Sequence, residues 1–365
     1  MSKPISLDIA LLRLYNQHII RQKYKKPDEV VGWLGAVQAQ DYLGSLWAIG
    51  LRLKNITEED IKKAIANKTL IRTWPMRGTL HFVKASDLRW MLTLLTPRII
   101  GGSAGRFRQL GLDGATFKRS KKILIKALQG GRMLTRNEMY QLLDQCKIST
   151  AGQRGYHILW RLAQDGLICL GPRKDKQQTI MLIDDWIPQT KSLKQDEALA
   201  ELTKRYFTGH GPATLQDFVW WSGLAIADAR AGLEMVKPQL TYEVVNDRTY
   251  WISQSMPVIK DVSPTAYLLP GFDEYIVGYK NRGDVLNTLY AKKVNPGNGM
   301  LSPSIVVDGQ VVGTWKRSFR KETVIIAAKV FSKLSKEKRN AVTAAAKHYS
   351  KFLGMPEIEF DKSKF

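Results

Sequence analysis

At 365 residues the chain has room for two or three domains, and 44% apolar with 9% aromatic residues can fill real cores, which excludes global disorder. Its 56 Lys and Arg outnumber 33 Asp and Glu, giving a formal charge of +23, an excess that favours a polyanionic partner over basic faces serving solubility alone. No window approaches the roughly 18 uninterrupted apolar residues of a membrane span, since the most apolar stretch, residues 90–100, is cut by Pro97 and Arg98.

The first twenty residues carry Asp8 and Arg13 inside their apolar part and lack a small-residue cleavage site. They read as an amphipathic helix rather than a signal peptide, and the chain is expected to be soluble and cytoplasmic, with no membrane partner. Residues 31–53 are apolar at helical spacing, and Gly44 predicts two helices or a kink there. Thr57 can cap a helix over TEEDIKKAIANK, and the segments TLIRTW and RGTLHFV, joined by Pro75 to Arg77, form a hairpin. This is the order of a winged helix.

The order recurs. SKKILIKALQGG is followed by LTRNEMYQLLDQC, where Thr135 and Glu138 make a capping box, and by AGQRGYHILWRLAQDG, which Gly166 ends. LICLGP and TIMLID supply the second wing. In a third copy Gly223 occupies the tight turn between TLQDFVWWSGL and AIADARAGLEMV, before the pair LTYEVV and TYWIS. From Ser263 strand-like segments dominate, including AYLLP, DEYIVGYK and the Asp308-Gly309 hairpin, and a basic helix closes the chain. The expected fold is α+β, with three tandem winged helix-turn-helix units followed by a small β-barrel, or a highly twisted sheet, with a C-terminal helix. The corresponding segments are 1–100, 101–190, 191–258 and 259–365.

The charge is unevenly placed. Residues 51–150 hold 20 Lys and Arg against 7 Asp and Glu, residues 201–300 hold 10 against 10, and residues 301–350 again have an excess of 7. Two basic segments flank a neutral one, an asymmetry that favours a polyanionic partner.

Cys146 and Cys169 are the only cysteines and the five histidines show no HxxxH or HxH spacing, so no metal or other cofactor is expected. No P-loop, GxSxG or HExxH is present. What remains is Gln38-Ala39-Gln40, two amides in an apolar stretch. On a helix, residues i and i+2 point about 200 degrees apart, so spacing alone favours two interfacial glutamines, and both line one cleft only if the helix ends or bends here. Arg77, Thr79 and His81 would share one strand face as contacts to a phosphate backbone, with Arg72 on the preceding strand; a solvated wing face is the alternative. Arg106 and Arg108 after the glycine-rich GGSAG, Arg154 at a helix start, and Lys316 with Arg317 at the end of the valine hairpin are further phosphate candidates. Trp220 and Trp221 read as core residues, and His210 and Asp217 as packing and capping residues.

Gln38-Ala39-Gln40, TWPMRGTLHFV at residues 73–83, HGPATLQDFVWWSGL at 210–224, PGFDEYIVGYKNR at 270–282 and VVDGQVVGTWKR at 306–317 together resemble the AlkZ/YcaQ family of winged-helix DNA glycosylases. The resemblance implies a monofunctional glycosylase that excises cationic alkylpurines, and in some members unhooks interstrand crosslinks, on double-stranded DNA in the nucleoid. It makes Gln38 and Gln40 the catalytic pair, and retention of both amides points to the AlkZ branch. A cationic N7-alkylguanine or N3-alkyladenine leaves readily, so neutral amides suffice to orient water and stabilise an oxocarbenium-like sugar. Asp41, next in sequence, reads as a local cap with an electrostatic role as the alternative. One chain can already form a channel, so a monomer is expected. A noncatalytic winged-helix regulator is the competing class, although AIADARAGLEMV, with one arginine against Asp228 and Glu234, is poorly equipped to read a groove.

Overall fold

Capping and turn chemistry set most element boundaries in the computed structural model, which describes residues 8–187, 193–254, 264–297, 299–355 and 357–361. The first helices are α1 (Ile9–Asn16), α2 (Pro27–Leu34), α3 (Tyr42–Gly50) and α4 (Glu58–Ala66), with a short strand β1 (Val37–Gln38) between α2 and α3. The break expected at Gly44 therefore falls earlier. Gly35 adopts φ 78° at the end of α2, whereas Gly44 lies inside α3, where a Cβ would sit 2.5 Å from Asp41 Oδ2. The Thr57 box caps α4 through Asp60.

Next come β2 (Leu70–Met76) and β3 (Thr79–Lys84), then α5 (Leu88–Gly102), α6 (Ala104–Gln109) and α7 (Gly114–Leu128). The hairpin turn is Arg77-Gly78, with φ 53° and 72°, the two-residue geometry whose twist matches the strands. It lies further along than the expected Pro75–Arg77 junction, because β2 continues through Pro75. The GGSAG segment, expected as a flexible linker, is instead the end of α5 and the start of α6.

The second segment continues with β4 (Leu134–Thr135), α8 (Arg136–Gln145), α9 (Arg154–Gln164), β5 (Ile168–Lys174), β6 (Gln177–Leu182) and α10 (Ile183–Trp186). The third holds α11 (Gln195–His210), α12 (Leu215–Ser222), α13 (Ile226–Val236), β7 (Leu240–Val245) and β8 (Arg248–Ser253). Helices followed by a hairpin thus recur three times in the expected order. The first two hairpins, however, merge into one sheet of order β1-β3-β2-β5-β6-β4, joined across β2 and β5 by the pair Arg72 and Leu170, while β7 and β8 stand apart.

The C-terminal part comprises β9 (Ala266–Leu269), α14 (Glu274–Val277), α15 (Ala291–Val294), β10 (Ser304–Val307), β11 (Gln310–Arg320), β12 (Thr323–Val330), α16 (Lys336–Phe352) and β13 (Glu357–Asp361). Two expectations change here. DEYIVGYK is a helical turn rather than a strand, because Asp273 caps it by accepting from the Tyr275 N–H. The barrel is a five-stranded sheet of order β13-β12-β11-β10-β9, with β9 and β13 at its edges among the described residues. The expected boundary at 258/259 lies outside the described residues.

Three hydrophobic cores organise these elements, and they do not follow the four segments. The first joins α1 to α4 with the C-terminal sheet and α16, through residues such as Leu46, Trp47, Ile305 and Phe352. The second joins β2, β3 and α5 to α11, α12 and α13, and the third holds the second helix group against β5 and β6. The Gln-Ala-Gln segment lies where the first and second cores meet, with Val37 and Ala39 in one and Ala36 in the other.

Candidate active site

Gln38 lies on a strand, not a helix, and this resolves the spacing problem. Val37 and Gln38 pair with Phe82 and His81 of β3, and the pairing is extended by the Ala39 N–H donating to Leu80 O at 2.7 Å. In extended backbone residues i and i+2 share a face. Val37 and Ala39 turn into the core and are completely buried, leaving the two glutamines on the opposite side. Arg72 fixes the segment from below, its Nε and Nη2 donating to Ala39 O at 3.1 and 2.7 Å.

Both amides are anchored by their oxygens. Arg77 Nη2 donates to Gln38 Oε1 at 2.8 Å, and the Leu80 N–H donates to Gln40 Oε1 at 3.0 Å. A guanidinium and a backbone N–H can only donate, so these partners settle which end of each amide is oxygen. Each oxygen keeps one lone pair, and each NH₂ group is without a protein partner among the described residues. Gln38 is 7% exposed and Gln40 is at the surface.

Beneath Gln38 is a buried polar network that the sequence reading missed. Glu274, with no exposed surface, accepts from the Gln38 N–H at 2.8 Å, from Trp221 Nε1 at 2.9 Å and from His210 Nε2 at 3.4 Å. Burial pushes its pKa up, but the hydrogen bond and charge of His210 and the Gln38 N–H outweigh that and hold it below the usual carboxylate range. Glu274 is placed in turn by its neighbour Asp273, which takes both Arg52 terminal nitrogens at 2.9 and 2.8 Å in a fully buried pair. Arg77 is half-buried, donates to the Trp221 carbonyl and keeps its left-handed turn conformation. Gly223 gives it room, since a Cβ there would meet Arg77 Cγ at 3.2 Å.

His81 Nδ1 donates to Thr79 O at 2.9 Å, and Nε2 accepts from Arg77 at 3.3 Å. Burial and then the Arg77 charge lower its pKa to about 3, so the ring is neutral. This sets a sign for acid stability. His81 titrates at about 3 when folded, and His18, also buried, at about 4, against 6.5 for both when exposed. Between these values the unfolded chain binds more protons, so stability falls as pH falls from about 6.5. Glu274, lowered from 4.5, loses stability in the same sense at more acid pH. We expect the thermal midpoint to decline steadily from about pH 7 to about pH 4.5; a flat or rising midpoint in buffered melts would contradict the neutral buried ring.

The other sequence candidates divide. Arg77 joins Gln38, although from the turn rather than from a shared strand face. His81 is completely buried and Arg72 nearly so, and their ring nitrogens and guanidinium bind protein groups around the motif. Thr79 is half-buried beside them, with Oγ1 at 3.5 Å from Met76 O. Arg317 comes beside the motif, donating to the Tyr349 hydroxyl at 2.5 Å with Asp41 3.8 Å away, and Lys316 is exposed on β11. Asp41 occupies the helix-start position without accepting a capping bond through its side chain. Arg106 binds Gln109 and Gln153, Arg108 is exposed, and Arg154 ties Ser149 O to Gly111 O; none of the three bonds to the motif. Trp221 is buried as expected, whereas Trp220 is 43% exposed. Among the described residues no three His, Cys, Asp or Glu side chains gather as metal ligands.

A family model described as DNA glycosylase AlkZ-like matches residues 31–352. The chain belongs to the AlkZ-like DNA glycosylase family. It is 27% identical over 323 residues to the interstrand DNA cross-link repair glycosylase of Streptomyces sahachiroi, a match covering 83% of this chain and 85% of the relative. The solved structure of Streptomyces sahachiroi DNA glycosylase AlkZ superposes with a TM-score of 0.79 at 24% identity, covering 97% of this chain and 98% of that one, so the fold is shared over essentially the whole length. This AlkZ-like chain carries its family resemblance at 270–282 in the same string that holds Glu274. The signal available in sequence was an Asp-Glu pair inside an apolar aromatic run, where an unpartnered charge does not stay.

Proposed function

We propose that the protein is a monofunctional DNA glycosylase that hydrolyses the N-glycosidic bond of cationic alkylated purines in double-stranded DNA, and that its three helix-and-hairpin groups act as winged helices gripping the duplex. The observation that carries the proposal is the pair of glutamines on one face of an extended segment, each with its amide orientation imposed by a donor. Crosslinks and bulky adducts fall within the same chemistry, because the leaving group is again a cationic purine. The activity for which the Streptomyces sahachiroi relative is named, interstrand cross-link repair, supports this range.

The geometry suits a water held between unlike groups. The Gln38 NH₂ donates to the water oxygen and the free lone pair on Gln40 Oε1 accepts a hydrogen bond from it, leaving one water lone pair for the anomeric carbon; the purine departs neutral, and the proton that the added water loses passes to solvent at the exposed Gln40 side. Strand spacing separates the two residues by about 7 Å, a span one water bridges between side-chain ends. The Asp41 carboxylate lies at the surface next to Gln40, where a negative charge favours the oxocarbenium-like sugar. Arg108, Lys316 and the outer face of Arg317 supply phosphate contacts.

The experiment is base release from an N7-methylguanine duplex and from a duplex bearing a bulky N7 crosslink. Release of free purine, leaving an uncleaved abasic strand, is the expected result. Tight, salt-sensitive binding with no release from either substrate would make the protein a noncatalytic DNA binder instead.

A further inference from the structure

We propose that a cleft beside the glutamine pair receives a flat aromatic group carried by the DNA substrate, an inference that rests on the glycosylase reading above. The cleft lies between the first hairpin and the second helix group and has a volume of about 350 Å³, within the range of small-ligand sites. Leu80, whose N–H holds Gln40, forms part of its wall, so it begins one side chain from the motif.

Its aromatic surface is Trp74, Tyr140 and Tyr156. Trp74 and Tyr156 meet edge to face, with centroids 6.3 Å apart and planes at 81°. Tyr140 is pinned against α9 at Gly155, where a Cβ would stand 2.8 Å from its ring. Tyr156 leaves 41% of its surface open. Arg136, Arg173 and Lys176 are exposed around the cleft, and its lining includes no carboxylate. Arg173 stacks 3.8 Å from the Tyr42 ring centroid, close enough to Arg72 that its charge, after burial, helps lower the Arg72 pKa to about 10. The nearby Asp41 charge offsets the repulsion between Arg72 and Arg173 only in part, and an incoming anion relieves the rest.

Rings that stack on any base face, rimmed by cations for the phosphodiester, match a nucleotide-like group better than a free anion or an apolar peptide. Two sources share this chemistry: a base next to the lesion that leaves the stack, and the aromatic part of a bulky adduct.

The test uses duplexes with a 2′-fluoroarabino sugar at the lesion, so that binding is read without cleavage. One carries N7-methylguanine and the other N7-naphthylmethylguanine, each with 2-aminopurine beside the lesion. Tyr156→Ala changes an exposed side chain, and Lys176→Gln at the rim is a second variant that tests the cleft without touching its core. If the adduct ring occupies the cleft, both variants weaken binding of the naphthyl duplex, Tyr156→Ala by at least about fivefold, and leave the methyl duplex unchanged. If a neighbouring base occupies it, both duplexes weaken alike and the change in 2-aminopurine emission on binding disappears. Wild-type affinity for both duplexes with unaltered emission in both variants overturns the proposal. Because the readout is binding, it is independent of base release by the wild-type chain on natural sugars, whose absence would overturn the glycosylase reading instead.

Discussion

Replacing Gln38 and Gln40 together by alanine is expected to lower base release by on the order of 10² to 10⁴ while DNA affinity stays within about threefold of wild type. In the proposed mechanism the two amides contact the reacting centre, whereas the proposed phosphate contacts lie on other elements. Isosteric variants then separate the roles. Gln38→Glu keeps an oxygen for Arg77 but removes the outward NH₂, and so falls with the alanine variant. Gln40→Glu keeps the bond from Leu80 and adds acceptor strength toward water, and retains most of the activity. Equal loss in both single variants, measured as single-turnover rates, would show that the amides do not hold the water between a donor and an acceptor. Loss of affinity matching loss of rate would move the pair from catalysis to binding.

Glu274→Ala is expected to destabilise the protein by about 3–5 kcal/mol and to abolish base release. Its removal leaves the Gln38 N–H, the Trp221 indole N–H and the His210 ring without their acceptor in a site closed to water. It also takes away the negative charge that offsets the cost of burying Arg77. Glu274→Gln retains one acceptor oxygen and lies between, with the greater part of its effect on rate, since Arg77 then holds Gln38 without a counter-charge. Chemical denaturation and single-turnover kinetics on the two variants check this. Stability within about 1 kcal/mol of wild type in both would mean that the network is not what places the motif.

Much of this architecture is legible along the chain. The cap at Thr57, the box at Thr135, the left-handed Gly166 and Gly223, and the Asp308-Gly309 turn are local rules, and each holds in the structure. The motif's own conformation is not legible by the same means. Residues 31–53 are largely apolar, and a short strand buried between two cores has the composition of a buried helix. Glu274 escaped because DEYIVGYK alternates like a strand and only the Asp273 cap, with Arg52 behind it, turns it into a helix. The merging of two hairpins and the open C-terminal sheet depend on pairings between distant residues, for which no single segment carries a signal.

The first core has a consequence for how the protein is made. It is built from both ends of the chain, down to the close approach of Phe352 to Gly50, where a Cβ would lie 2.3 Å from the ring. The second helix group, by contrast, is closed by residues between 74 and 182, with Trp74 and Leu80 of the first hairpin as its contribution from outside the group. During synthesis that middle group can become native as soon as it leaves the ribosome, while the helices flanking the glutamine motif wait for α16. The strand that leads into the glutamine pair is thus completed last, and a nascent chain halted before α16 would have a folded middle without a finished first core.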